Sequence, residues 1–128
     1  RAQCYETARK LAEALQLSAE QYVVAFQSRL GPVPWIQPYT DKVLEDMARE
    51  GIKKIAVMEP SFVADCLETV EEIGIRGREQ WKSLGGEWLE LIPCVNADPL
   101  WADAVVEIIL DQSPAASFKA ANIASLPA

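Results

Sequence analysis

The sequence predicts an α/β fold: a Rossmann-like parallel sheet flanked by helices, present as an incomplete domain. Three observations predict it. Short apolar runs at 22–26, 55–58 and 88–92 recur about every 30 residues. Helical periodicity fills the intervals between them, and glycines and prolines mark the joins. Such alternation favours parallel strands joined by crossover helices, which puts the loops after the strands at one edge of the sheet. Ligands bind at that edge in open α/β folds. Three strands make a thin sheet, so either a partner or more of the same protein is expected to complete it.

The first helix is read from Tyr5, Ala8, Leu11, Ala12 and Leu15, which fall on one stripe while Glu6, Arg9, Lys10 and Glu13 lie outside it. Tyr22-Val23-Val24-Ala25-Phe26 is a continuous apolar run, as expected of a strand covered on both faces. From Gln27 to Thr40 the chain reads as loop, because Gly31, Pro32, Pro34 and Pro38 forbid a regular helix. Thr40 looks like an N-cap, Leu44, Met47 and Ala48 form the next buried stripe, and Gly51 sits where a C′ glycine belongs.

The run Ile55-Ala56-Val57-Met58 is the second strand, closed by Pro60. Ser61 is then expected to cap a helix over 62–73, with Gly74 ending it and a shorter helical stretch carrying Trp81 and Leu84 up to Gly85-Gly86. The third strand, 88–92, is broken by Pro93. Asp98-Pro99 is a helix start, with Asp as N-cap and Pro at the first helical position, and Trp101, Val105, Ile108 and Ile109 face inward. Residues 1–112 are expected to fold as one α/β domain. Residues 113–128, rich in Ala, Ser and Pro, form a tail expected to be frayed or docked irregularly.

Composition narrows the function. The 128 residues suffice for one core, and half of them are hydrophobic. A formal charge of −7 with scattered Lys and Arg argues against a nucleic-acid partner. Cys4, Cys66 and Cys94 are too widely spaced for a disulfide framework or zinc knuckle, and too few for a usual iron–sulfur cluster. They are expected to be reduced thiols of a cytoplasmic protein. No apolar stretch reaches the ~20 residues a transmembrane helix needs, and the opening residues have a helical pattern rather than that of a signal peptide. There is no histidine. Proton chemistry therefore falls to carboxylates, lysine, tyrosine or cysteine, or to a group borrowed from elsewhere.

Two clusters are candidates for chemistry. Gln27-Ser28-Arg29-Leu30-Gly31-Pro32-Val33-Pro34-Trp35 follows a strand and could present Trp35 as a flat wall for a large planar ligand. A tryptophan that only caps the core fits the same pattern. Asp65, Glu68 and Glu72 share one face of a helix at 100° per residue, with Val63, Leu67 and Val70 roughly opposite and no Lys or Arg between. They read either as a solvated outer face or as a carboxylate ladder lining a cleft, where crowding would raise at least one pKa and couple the titrations. Carboxylates are also weak, labile ligands that suit passing on a divalent ion.

Three segments together resemble the C-terminal half of ferrochelatase. They are Phe26-Gln27-Ser28-Arg29-x-Gly31-Pro32-x-Pro34-Trp35-x-x-Pro38-x-Thr40-Asp41, Phe62-Val63-x-Asp65-Cys66-Leu67-Glu68-Thr69-x-x-Glu72-Ile73, and Ile92-Pro93-Cys94-Val95-Asn96-x-x-Pro99. The similarity runs from Cys4 to Ile109. It implies a chelatase-type half-fold and a metal-chelatase (lyase) activity that inserts Fe(II) into a porphyrin at the end of haem biosynthesis. By position it makes Glu68 the active-site glutamate and metal-handling residue, with Asp65 and Glu72 beside it on an acidic helix. It makes Trp35 a wall of the porphyrin cleft, with Gln27, Ser28 and Arg29 at the adjacent strand end.

Porphyrin and ferrous iron are then substrates, no tightly bound cofactor is implied, and the N-terminal half of the same protein is the implied partner. The family's histidine belongs to that half, so the chain alone is expected to be inactive. A half-size chelatase that dimerises and a non-catalytic tetrapyrrole-binding module are the alternatives.

Overall fold

The computed structural model describes residues 1–29 and 31–112; the expected tail, 113–128, lies outside the described residues. The chain divides into two compact units, one spanning Arg1–Cys94 and one beginning at Val95. In the first unit the elements run α1 (Ala2–Ala14), α2 (Thr40–Arg49), β1 (Lys54–Val57), a π-helix (Glu68–Gly77), α3 (Arg78–Ser83) and β2 (Trp88–Leu91). In the second lies α4 (Pro99–Gln112).

β1 and β2 pair in parallel, Lys54 opposite Trp88 through Val57 opposite Leu91, with the π-helix and α3 forming the crossover. This is the expected α/β connection. The core lies beneath it: Leu44 of α2, Ile73 of the π-helix, Trp81 of α3 and Leu89 of β2 are buried together, with Met47, Ala48, Ile55 and Leu91 packed around them. Trp81, only 1% exposed, is pinned by its indole N–H, which donates to the carbonyls of Trp88 (3.0 Å) and Lys53 (3.3 Å).

Several expectations need correction. Residues 22–26 form no strand. Only Phe26 makes a parallel bridge, to Tyr39, and Val23 is exposed. A strand requires a neighbour along its length, and among the described residues this run has one for a single residue. Thr40 is the first helical residue rather than the cap, because its N–H donates to the Phe26 carbonyl at 3.0 Å in that bridge. In α1 only Ala12 of the expected stripe is buried, and Tyr5 and Leu15 remain exposed.

The expected helix over 62–73 starts late and does not stop at Gly74. Phe62 donates to the Glu59 carbonyl in a turn, and the hydroxyl of Thr69 accepts from the Cys66 N–H (3.0 Å), fixing the helix start beyond Ser61. From Glu68 the backbone winds as a π-helix, with i→i+5 bonding, and continues into α3. That wider turn changes which residues share a face. Thr69, Ile73, Gly74 and Gly77 are buried, whereas Val63, Leu67 and Val70 are exposed, Leu67 by 78%. Gly74 is in the helix for its lack of a side chain: a Cβ there would stand 3.1 Å from Leu91 of β2.

In the second unit Asp98 caps α4 as expected, its Oδ1 accepting from the Leu100 N–H at 2.8 Å. Trp101 and Val105 are half-buried, but Ile108 and Ile109 are exposed. Val105, Val106, Ile108, Ile109 and Leu110 follow so closely that they wrap around the helix, and one stripe cannot hold them all.

Candidate active site

Gln27 and Ser28 lie against the first turns of the π-helix. Three hydrogen bonds join the two candidate clusters there. Gln27 Nε2 donates to the Glu68 carbonyl at 2.8 Å. The Ser28 N–H donates to Glu72 Oε1 at 2.9 Å, and its hydroxyl to Glu72 Oε2 at 3.1 Å. Ser28 takes φ +59°, a left-handed conformation uncommon outside glycine, and these bonds to Glu72 hold it. Trp35 is tied to the same loop, its indole N–H donating to the Gln27 carbonyl at 2.8 Å, and it remains 38% exposed. The Arg29 guanidinium lies over the Tyr39 ring, 4.6 Å from its centroid, and is exposed.

The three carboxylates of the acidic segment have different surroundings. Asp65 precedes the helix rather than lying on it, and its Oδ1 accepts from the Cys94 N–H (3.2 Å) and the Thr69 hydroxyl (3.2 Å). Glu72 is half-buried with both oxygens occupied by Ser28. Glu68 is exposed, and hydrogen bonds from the Cys66 thiol and from its own backbone N–H hold its carboxyl below the usual range. The expected crowding therefore does not raise Glu68. Nor do these carboxylates close up as a cage: among the described residues, no three of Cys, Asp and Glu come together as a set able to hold a metal ion.

The group that does shift upward lies outside the expected set. Glu59, two residues beyond the end of β1, is 8% exposed, and neither carboxylate oxygen has a hydrogen-bond partner among the described residues. Burial pushes its carboxyl up to about 7, and the negative charges of Glu72 and Asp65 act in the same direction. The Gln27 amide offsets part of this as a nearby donor, although its hydrogen bond goes to the Glu68 carbonyl. Cys94 belongs to the same neighbourhood: burial and then Asp65 raise its thiol to about 11. The signal for Glu59 was a lone glutamate directly after an apolar strand, where the sequence suggests only a turn. Thr69, fully buried and bonded to both Asp65 and Cys66, is the second residue that the sequence did not single out.

Residues 1–113 match the sequence model of the family described as Ferrochelatase. A ferrochelatase of Legionella pneumophila (strain Lens) is 57% identical over 112 residues, covering 88% of this chain and 34% of that protein. A ferrochelatase of Coxiella burnetii (strain Dugway 5J108-111) is 57% identical over 108 residues, covering 84% of this chain and 30% of that protein. The chain thus spans about a third of the length of the curated relatives it matches.

Proposed function

The chain belongs to the ferrochelatase family, and from that premise we propose that it supplies one wall of a site that inserts Fe²⁺ into a porphyrin, the terminal step of haem biosynthesis. The observation that carries this reading is the joining of two segments some 40 residues apart: Gln27 and Ser28 hold the Trp35 loop against Glu68 and Glu72. The Trp35 loop and the carboxylate segment are thereby tied to each other. That combination suits a flat, apolar macrocycle that must lose protons and gain a cation.

In the proposed reaction two pyrrole N–H bonds break, their electron pairs stay on nitrogen and bind Fe²⁺, and two protons leave. Trp35 offers a face for the macrocycle, with Gln27, Ser28 and Arg29 beside it. Glu68 is exposed and held in its ionised form by the Cys66 thiol. It is suited to pass on an incoming ferrous ion, because a single carboxylate binds such an ion weakly. Glu72 and Asp65 are the proton acceptors. The family's histidine, as the resemblance implies, belongs to the part of the protein that this chain does not span. The reaction so described needs no resident cofactor, and its place is the cytoplasm. Among the described residues, no helix is long and apolar enough to cross a membrane.

The test is porphyrin binding, followed by absorbance, in the full-length protein and its Trp35→Ala variant, together with the sequence upstream of Arg1. Binding weakened on the order of 10-fold supports the wall, since aromatic contact contributes about 1 kcal/mol or more beyond its area. A native chain beginning at Arg1, with binding independent of both Trp35 and Glu68, would contradict the reading.

A further inference from the structure

The π-helix begins at Glu68, and a fully buried hydroxyl one residue later governs how it begins. Thr69 Oγ1 accepts from the Cys66 N–H at 3.0 Å. It also lies 3.1 Å from the Cys66 carbonyl and 3.2 Å from Asp65 Oδ1, and its own proton goes to one of these two acceptors. The same Asp65 oxygen accepts from the Cys94 N–H at 3.2 Å, just beyond β2. One hydroxyl thus ties the corner at Asp65 and Cys66 to the first turn of the helix. The Cys66 carbonyl accepts besides from the Thr69 N–H (3.2 Å) and the Val70 N–H (2.9 Å), so the chain is tightly wound up to the point where the wider i→i+5 pattern takes over.

Glu68 is held from both sides of this turn. Its carbonyl accepts from Gln27 at 2.8 Å, and the residue after it carries the hydroxyl. Cys66, whose N–H that hydroxyl fixes, also donates its thiol to the Glu68 carboxyl. Because Glu68 is exposed, burial does not aim its carboxylate, and the direction comes from the backbone and the donors around it.

We propose that Thr69 is a positioning residue for metal insertion, its hydroxyl fixing the corner at Asp65 and Cys66 and through it the direction in which Glu68 presents its carboxylate. This deepens the ferrochelatase reading and rests on it. Fully buried, Thr69 touches neither porphyrin nor iron. Two features favour this over a hydroxyl that only caps a helix. A cap needs one backbone N–H, whereas this hydroxyl also reaches a carboxylate of the acidic segment. The Trp35 loop does not depend on it either, since two of the three bonds that join that loop to the helix go to Glu72. Losing the hydroxyl should therefore misdirect Glu68 and leave the porphyrin wall in place.

The experiment uses the full-length protein. Single-turnover insertion of Fe²⁺ into bound porphyrin is measured, with porphyrin affinity alongside, for wild type, Thr69→Val, Thr69→Ser, Glu68→Gln and the Glu68→Gln/Thr69→Val double variant. Thr69→Val should slow insertion on the order of 10-fold at unchanged porphyrin affinity, while Thr69→Ser, which keeps the hydroxyl, stays within about threefold of wild type. In the Glu68→Gln background Thr69→Val should change the rate no further, because the two residues act as a unit. A purely structural role would cost the same factor in both backgrounds, and that result overturns the inference. So does a Val variant as fast as wild type, or a Ser variant as slow as Val. Each of these leaves the ferrochelatase reading standing, whereas a wild-type protein that inserts no metal overturns that reading and the inference with it. If Thr69→Val does not fold, Thr69→Ala takes its place in the same cycle and the same outcomes decide.

Discussion

Gly86→Ala should damage this fold more than any surface change, and the structure shows why. An alanine Cβ at position 86 would stand 2.5 Å from Cδ1 of Trp81 and closer still to its Nε1 and Cε2. The ring has nowhere to go. It is 1% exposed, packed with Leu44, Ile73 and Leu89, and held by N–H bonds to the carbonyls of Lys53 and Trp88, where β1 and β2 begin. Overpacking a tight core costs about 1–3 kcal/mol. Turning the indole also strands a buried donor, at about 1–3 kcal/mol more. The sum, about 2–6 kcal/mol, is a large part of the ~5–15 kcal/mol that holds an ordinary domain together. Urea unfolding followed by tryptophan fluorescence measures it directly. A loss under about 1 kcal/mol, with the m-value unchanged, would refute the packing argument.

Two further perturbations test the site's framework. Glu59 has its folded pKa raised from 4.5 to about 7, so the native state binds more protons than the unfolded state between those values. Stability from this group is therefore full below about pH 4.5 and is lost as pH rises through about 7. At about 1.4 kcal/mol per pH unit the upper bound is ~3 kcal/mol, and solvent screening brings it to about 1–2. Glu59→Gln should remove that slope, and denaturation curves at about pH 5 and pH 8 that stay parallel for the two proteins would contradict it. Thr69→Val keeps the shape but leaves the Cys66 N–H without its hydroxyl partner, at a cost of about 1–3 kcal/mol. Hydrogen exchange at Cys66 should speed up accordingly, and unchanged protection there would count against the role assigned to Thr69.

The elements whose causes are local were legible in the sequence. β1 and β2 show as apolar runs bounded by Pro60 and Pro93, and Asp98-Pro99 marks the start of α4, because capping and ring constraints act within a few residues. Both halves of the candidate site were visible too, Gln27 to Trp35 and Asp65 to Glu72, and the hydrogen bonds of Gln27 and Ser28 join them. What escaped depends on distant chain or on backbone geometry. Periodicity at 100° per residue presumes an α-helix, so it set Val63, Leu67 and Val70 together opposite the carboxylates, whereas the π-helix buries Thr69, Ile73 and Gly74 and leaves those three exposed. Residues 22–26 have strand composition, but pairing depends on a neighbour that composition does not supply. Glu59 looked like part of a turn because its burial comes from chain elsewhere in the sequence.

The account stands or falls on Glu68, an exposed carboxylate whose backbone carbonyl accepts from Gln27 of the Trp35 loop. The deciding measurement is single-turnover insertion of ferrous iron into a bound porphyrin by the full-length protein and by its Glu68→Gln variant. The account predicts that porphyrin binding stays as in wild type while the insertion rate falls on the order of 100-fold, the scale of a lost acid–base or ion-handling group. Insertion within about twofold of wild type, with the porphyrin bound equally well, would contradict it and leave a tetrapyrrole-binding surface in place of a chelatase site.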